Sequence, residues 1–200
     1  MGGMLVAEDL LQCPCASCDD LREVAADQGY GAGVQGLAVG DRVRCGRFTL
    51  EVLWPARFAD EGGNGDSLSF LCTYDGDGDG TAEWTALFCG DAEAEELRAM
   101  EPLLPEEGID VLKVGHHGSK KSLDADLAER LSPSVALIGV GESNRYGHPA
   151  PEVCQILEEV GAAVLCSDEA GDVSVGFSME KLTVTAQNDD GEGKTGTMEP

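Results

Sequence analysis

The chain has three histidines, and each of them follows an apolar segment of the sequence. His116 and His117 come directly after residues 110–115, whose apolar run predicts a buried parallel strand. His148 lies in the polar loop that follows the apolar segment 134–140. Open α/β sheets bind ligands at the carboxyl ends of their strands. We therefore expect the three imidazoles to meet at one edge of a sheet.

Asp91 is the carboxylate that the same pattern places beside the histidines. It follows the apolar segment 84–89 and precedes a predicted helix at 93–100, so a helix N-cap is the alternative, and position alone favours the cap. The three histidines expected nearby favour a role for Asp91 as a metal ligand instead, because carboxylate and imidazole groups together bind divalent cations such as Zn²⁺ or Mn²⁺. Such a cation produces a hydroxide nucleophile near neutral pH, and a further histidine can protonate the leaving group.

The charge balance limits the kinds of partner. The chain carries 38 acidic and 13 basic residues, a formal net charge of −25. This surface repels phosphate backbones, which argues against nucleic-acid binding by the surface as a whole. A local basic cleft is still open to the chain, and its candidate residues are Lys113, Lys120, Lys121 and Arg145.

Two other clusters have metal-binding residue types but are expected to be structural. Cys13, Cys15 and Cys18 have irregular spacing and no evident fourth ligand, so a loop with three thiols is favoured over a closed zinc site. Residues 75–80 alternate Asp and Gly, but Ala86 stands where a calcium loop needs a bidentate glutamate. We expect a hairpin tip there. We expect most of the eight cysteines of the chain to be reduced, buried, small hydrophobic side chains.

The order of the predicted elements indicates the fold class. Hairpins in the first half and alternating strands and helices in the second half predict an α/β protein, an α+β sandwich with mixed strand directions. No apolar run of about 18 residues is present, so no membrane span is expected. The predicted strands are 47–54, 67–74, 84–89, 110–115, 134–140, 163–167, 172–177 and 182–186, and the predicted helices are 19–28, 93–100, 122–131 and 151–160.

Three segments together resemble a known family. Residues 89–91, 112–119 and 139–149 closely resemble the metallo-β-lactamase-like domain of the ComEC/Rec2 competence proteins, and the similarity extends over nearly all of residues 1–186. The resemblance implies a four-layer αβ/βα sandwich with metals at the edge between two sheets. It implies that Asp91 is a metal-bridging carboxylate, that His148 is a metal ligand, and that His116 and His117 are active-site residues, with His116 as a further ligand or proton donor.

The resemblance also implies a function. It indicates a metal-dependent hydrolase of the phosphodiesterase or nuclease type, linked to DNA uptake, with single- or double-stranded DNA as partner and a membrane channel domain in full-length relatives. The alternatives are a non-catalytic binding module and a metallo-hydrolase of the same superfold with a different substrate. Cytoplasmic and membrane-associated locations both stay open. The candidate substrate-binding residues are Ser119, Lys120, Asn144 and Arg145.

One departure from the family pattern limits the expected activity. The signature His-x-His-x-Asp-His is absent from the sequence, and Asn64 stands near the place where hydrolytic relatives have another histidine ligand. We therefore expect a partial metallo-β-lactamase-like domain at residues 1–187 that lacks the first strands and the signature loop. We expect weak or absent metal binding, impaired activity, and a disordered acidic tail at residues 188–200.

Overall fold

The computed structural model describes residues 4–30, 33–56, 63–187 and 193–199. Its strands are β1 (Met4–Ala7), β2 (Val34–Leu37), β3 (Arg42–Cys45), β4 (Phe48–Trp54), β5 (Ser69–Tyr74), β6 (Trp84–Phe88), β7 (Val111–Lys113), β8 (Val135–Ile138), β9 (Ala163–Cys166), β10 (Asp172–Phe177), β11 (Leu182–Gln187) and β12 (Gly193–Met198). Its helices are α1 (Ala16–Asp27), α2 (Ala94–Met100), α3 (Ala125–Leu131), α4 (Pro151–Glu159) and α5 (Ser167–Ala170).

Seven strands form one large mixed sheet in sequence order, from β3 to β9. The pairs from β3 to β6 are antiparallel, and the pairs from β6 to β9 are parallel. The parallel strands are joined through α2, α3 and α4 in turn. The carboxyl ends of β6, β7 and β8 therefore lie side by side at one edge, as the sequence predicts.

The alternation of side chains along the strands divides the core between the two faces of this sheet. In β6, Leu87 packs in a cluster with α2, α3 and α4, whereas Trp84 and Ala86 pack against Leu182 and Val184 of β11. Strands β10, β11 and β12 form a separate antiparallel sheet on that second face. Apart from β1 and β2, the described residues thus form three layers, helices on a seven-stranded sheet on a three-stranded sheet, and the predicted α+β sandwich is confirmed. The second mixed sheet that the resemblance implies is not found among the described residues, because β10, β11 and β12 pair only in the antiparallel direction.

The N-terminal residues form a small unit of their own. β1 and β2 pair in parallel and α1 connects them. Its described residues bury two hydrophobic side chains, Val6 and Ala25. None of the helices in the described part of the chain combines the length and apolar character that a bilayer span requires.

The structure differs from the sequence prediction in the tail. Residues 193–198 of the expected disordered segment form β12, which pairs along its whole length with β11. The physical reason is that this pairing lets Met198 pack against the apolar cluster between the two sheets. Residues 188–192 and 200 of the predicted tail lie outside the described residues.

The start of α3 also differs from the prediction. The helix begins at Ala125 and not at residue 122, because the Asp124 carboxylate caps it by accepting a hydrogen bond from the Leu127 amide at 3.1 Å. Ser122 is buried instead in the preceding loop, where its hydroxyl donates to the Ser119 carbonyl at 2.7 Å.

Candidate metal and catalytic site at the sheet edge

The predicted site residues follow three adjacent strand ends. Asp91 comes three residues after β6, His116 and His117 come three and four residues after β7, and His148 lies in the loop between β8 and α4. A cleft of about 780 Å³ opens at this edge. Its lining residues are Asn64, Glu93, His116, Ser119, Lys120, Lys121, Tyr146, Gly147, His148, Ala150, Pro151 and Glu152.

The two adjacent histidines occupy a tight turn in a rare backbone conformation. Both lie in the left-handed region, His116 at φ 45° and His117 at φ 55°. The turn is close to the β6 loop, because a Cβ on Gly115 would lie 2.2 Å from the Ala92 carbonyl oxygen. Left-handed residues other than glycine cost about 1 kcal/mol or more and cluster at functional sites. The strain therefore favours a functional role for this turn over a packing role.

His117 is oriented by the loop after β8. Its Nδ1 atom lies 2.6 Å from the Gly139 carbonyl oxygen, and because a carbonyl can only accept, Nδ1 carries the proton. In the neutral ring Nε2 then has a free lone pair, and it faces the Asp91 Oδ1 atom at 3.8 Å.

Two facing acceptors at this distance are suited to a cation held by both of them. In a tetrahedral zinc site with bonds of about 2.1 Å, two ligand atoms lie about 3.4 Å apart. The donor chemistry of Asp91 and His117 therefore fits the divalent cation that the sequence predicts. The other arrangement that satisfies both atoms is a protonated imidazolium paired with the carboxylate.

His116 has a different set of partners. Its Nδ1 atom lies 3.0 Å from the Glu93 Oε1 atom, so Nδ1–H donates to that carboxylate and Nε2 keeps its lone pair. The Asn64 amide nitrogen lies 3.2 Å from Nδ1 and 3.4 Å from Nε2. A carboxylate behind an imidazole is the arrangement that orients histidine ligands in metal sites. The ring also lies edge-on to His148, with 5.8 Å between the centroids.

The structure decides how α2 is capped. Glu93 is the N-cap, and it forms a reciprocal capping box with Glu96. Asp91 does not cap the helix; its backbone N–H donates to the Ser67 hydroxyl at 2.9 Å, and its side chain is about half exposed. Sequence reasoning missed Glu93, because a capping box is marked by Ser, Thr, Asp or Asn three residues before Glu or Gln, and only Glu96 fits that pattern.

Asn144 positions His148 and is not a free polar group. Its Nδ2 atom donates to the His148 carbonyl at 2.6 Å, and its Oδ1 atom accepts from the His148 backbone N–H at 3.0 Å. The Tyr146 ring lies nearly parallel to the His148 ring, with 6.0 Å between the centroids. The guanidinium of Arg145, another predicted substrate-binding residue, lies 5.3 Å from the centroid of the Tyr146 ring.

The lysines of the cleft are paired with carboxylates. Lys120 lies 2.7 Å from Glu152, and Lys121 lies 3.7 Å from Glu93. Ser119 is buried, and its hydroxyl accepts from the Lys121 backbone N–H at 3.3 Å. The cleft therefore contains both positive and negative charges. A phosphate that binds Lys120 or Lys121 has to displace the paired carboxylate, Glu152 or Glu93.

Lys113 is set back from the cleft at the end of β7. Its Nζ atom donates to the Val114 carbonyl at 3.1 Å. Partial burial lowers the pKa of its ammonium group, and the charges of Cys89 and Asp91 only partly offset this shift. Lys113 is thus a partly buried neighbour of the site and does not line the cleft.

A closed ligand set is not preformed at this edge. Within the described residues, three or more His, Cys, Asp or Glu ligand atoms lie within 4.8 Å of one another in two places, and both are elsewhere. One is the group of three thiols near the N-terminus. The other is Asp75, Asp77 and Glu83, whose carboxylates accept backbone N–H groups within the β5–β6 connection, as expected for a hairpin tip.

Comparison with known proteins identifies the relatives of the chain. No family model matches it. Over 154 residues, 77% of this chain, it is 30% identical to ComE operon protein 3 of Bacillus subtilis (strain 168). Over 100 residues, 50% of this chain, it is 36% identical to Recombination protein 2 of Haemophilus influenzae (strain ATCC 51907 / DSM 11121 / KW20 / Rd). The chain is related to the ComEC/Rec2 proteins.

The relationship predicted from the three motifs is therefore confirmed. The matched residues make up 19% of the length of ComE operon protein 3 and 12% of that of Recombination protein 2. The chain thus spans less than a fifth of each of these relatives.

Proposed function

We propose that this ComEC/Rec2-like chain has a metallo-β-lactamase-type fold and is a metal-dependent hydrolase of phosphodiesters, acting on DNA during uptake. The observation that carries the proposal is the pair of facing acceptors, His117 Nε2 and Asp91 Oδ1, 3.8 Å apart at the edge where three strands end. The relationship to ComE operon protein 3 and Recombination protein 2 supports DNA as the substrate class.

Each side chain at the edge has a role that follows from its contacts. His117 and Asp91 hold the cation, and the Gly139 carbonyl maintains the ring nitrogen in the ligating form. A bound divalent cation supplies Lewis acidity and acidifies water near neutral pH. His116, whose Nδ1–H donates to Glu93, takes up a proton from the attacking water at Nε2 and passes it to the leaving group. His148 is presented by Asn144 as a further ligand.

The charge of the chain restricts how DNA can bind. Because the chain has a net charge of −25, its surface as a whole repels DNA, and the favourable free energy of DNA binding must come from contacts in the cleft. Lys120 and Lys121 are the cations placed to contact a phosphate, in exchange for their contacts with Glu152 and Glu93. Binding through two lysines gives a shallow salt dependence, because each neutralised phosphate contributes a slope of about −0.7 to −0.9.

A second candidate function is a non-catalytic binding module. The observation that favours it is that, among the described residues, no three ligand atoms at this edge lie within 4.8 Å of one another. A metallo-hydrolase of the same superfold that acts on small esters is the third candidate, because fold similarity does not determine the substrate.

Nuclease assays with matched variants test the proposal. The full chain is incubated with Mn²⁺ or Zn²⁺ and end-labelled single- or double-stranded DNA, beside Asp91→Asn and His117→Asn. The control is Asp172→Asn, which removes an exposed carboxylate from β10 of the other sheet. Because the signature His-x-His-x-Asp-His is absent, we expect slow metal-dependent cleavage by the wild type and the control, and at least about tenfold less cleavage by the two site variants.

The other outcomes distinguish the candidates. Metal-dependent DNA binding without cleavage supports the binding module. Cleavage of small phosphate esters but not of DNA supports the third candidate. Equal cleavage by the wild type and by both site variants overturns the assignment of the site.

A further inference from the structure

Three cysteine side chains meet near the N-terminus, far along the chain from the sheet-edge site. The Sγ atoms of Cys13, Cys15 and Cys18 all lie within 4.8 Å of one another. All three are free thiols, Cys15 is exposed, and the other two are partly exposed. Four bonds of about 2.3 Å in a tetrahedral zinc site place the sulfur atoms about 3.8 Å apart. The upper bound of 4.8 Å on the observed separations exceeds that spacing by no more than about 1 Å.

The backbone around the cluster favours thiolate charge. Cys15 is the N-cap of α1, and its Sγ atom accepts a hydrogen bond from the Cys18 backbone N–H at 3.4 Å. The N–H groups at the start of this 12-residue helix stabilise negative charge on the Cys15 sulfur atom and lower the pKa of its thiol, whereas the neighbouring Cys15 and Cys13 thiols raise the pKa of Cys18 to about 12. Negatively charged sulfur is the form that binds metals.

Arg22 holds the loop that contains Cys13 against the helix. Its Nη2 atom donates to the Cys13 carbonyl at 2.8 Å, and Nη1 donates to the Leu10 carbonyl. Arg22 also pairs with Asp19 within the helix. Cys13 is therefore positioned over the first turn of α1 before any ligand binds, which lowers the entropy lost on forming a site.

The N-terminal unit has little else to stabilise it. Among its described residues Val6 and Ala25 are the buried hydrophobic side chains, whereas five large apolar side chains are exposed. Small units with so little core depend on disulfides or structural metals. The exposed side chains are Leu5, Leu11, Leu21, Val24 and Tyr30.

We propose that Cys13, Cys15 and Cys18 bind one Zn²⁺ ion, with water as the fourth ligand, and that this site orders the N-terminal unit. Thiolates select zinc over Mn²⁺, which prefers oxygen ligands. The proposal is independent of the sheet-edge function, because Asp91 and His117 offer oxygen and nitrogen. A metal site explains the cluster better than a redox-active disulfide does, because all three sulfur atoms lie close together and a disulfide would use only two of them.

Thiol protection in the wild-type chain tests the site without relying on the folding of a variant. The reduced full chain is saturated first with Mn²⁺, then given one equivalent of Zn²⁺, and alkylated, and the modified cysteines are mapped by mass spectrometry. We expect Zn²⁺ to protect Cys13, Cys15 and Cys18 and to leave the exposed Cys45 reactive. Equal alkylation of the three thiols with and without Zn²⁺ overturns the proposal.

A variant pair measures the affinity. Cys15→Ser removes one ligand, and Cys45→Ser removes an exposed thiol from β3 as the matched control. We expect Cys15→Ser to weaken Zn²⁺ binding at least about tenfold and Cys45→Ser to leave it unchanged. Unchanged affinity in Cys15→Ser overturns the site. The same Zn²⁺ affinity in Asp91→Asn supports the site, and a weaker affinity there overturns it by showing that the measured zinc was bound at the sheet edge.

Discussion

The Nδ1 atom of His117 lies 2.6 Å from the carbonyl oxygen of Gly139, so the loop after β8 determines which ring nitrogen faces Asp91. This contact joins the ends of two parallel strands, because His117 follows β7 and Gly139 follows β8. The left-handed backbone at residue 117 aims the ring at that carbonyl. Residues after β6, β7 and β8 together place the lone pair of His117 Nε2 opposite the Asp91 carboxylate.

Replacing His117 by asparagine tests the metal-binding role of Nε2 separately from the hydrogen bond that Nδ1 makes with Gly139. The amide nitrogen of asparagine can still donate toward Gly139, and asparagine tolerates a positive φ. It has no atom in the place of Nε2. We expect the Mn²⁺ affinity measured by calorimetry to fall at least about tenfold, whereas the free energy of unfolding in urea changes by less than about 1 kcal/mol. Unchanged Mn²⁺ affinity would show that His117 is not a ligand.

The capping box predicts opposite effects for Asp91 and Glu93. Asp91→Asn should leave the free energy of unfolding within about 0.5 kcal/mol of the wild type, because Asp91 caps no helix. Glu93→Ala should lower it by about 1 kcal/mol or more, because the N-cap of α2 and the hydrogen bond to His116 are both lost. Urea denaturation compares the two. A larger loss in Asp91→Asn than in Glu93→Ala contradicts the capping assignment.

Gly115→Ala tests how closely the histidine turn approaches the β6 loop. A Cβ at residue 115 would lie 2.2 Å from the Ala92 carbonyl oxygen, which is backbone and cannot rotate away. We expect a loss of about 2 kcal/mol or more in the free energy of unfolding. The matched control is Gly141→Ala, because a Cβ there has no atom within 4 Å. Equal stability of the two variants would mean that the approach is not tight.

The positions of the site residues could be predicted from the sequence because a strand end is a local feature. The apolar segments before Asp91, His116 and His148 each mark a strand, and parallel pairing then brings the three ends to one edge. The alternation of Trp84, Ala86 and Leu87 likewise indicates which face each side chain occupies.

The contacts among these side chains could not be predicted, because they depend on loop geometry between elements far apart in the chain. The resemblance does not show that Asp91 faces His117 while His116 contacts Glu93, since both histidines follow the same strand. The hydrogen bonds from the Asn144 side chain to both backbone groups of His148 are likewise not evident from the sequence, and the substrate contact of Asn144 stays a prediction. β12 could not be predicted from its own polar sequence, because it forms a strand only through its pairing with β11.

Burial of the Cys89 thiol predicts a loss of stability in alkaline solution. Burial raises the pKa of Cys89 from 9.0 to about 12, although nearby Lys113 opposes the shift. Between these two pH values the unfolded chain loses the proton and the native chain keeps it. The native state therefore binds more protons, and the free energy of unfolding falls as the pH rises from about 9 toward about 12. Below pH 9 this group has no effect, because both states are protonated.

The slope of stability against pH is the readout for this prediction. Urea midpoints are measured through the alkaline window for the wild type, Cys89→Ala, and Cys45→Ala as the exposed control. Cys89→Ala lowers stability at every pH by leaving a small cavity, but its slope should be shallower than that of the wild type. Some slope should persist, because burial also raises the pKa of Cys166 to about 12. Equal slopes for the wild type and Cys89→Ala would show that the Cys89 thiol ionises in the native state as readily as in the unfolded chain.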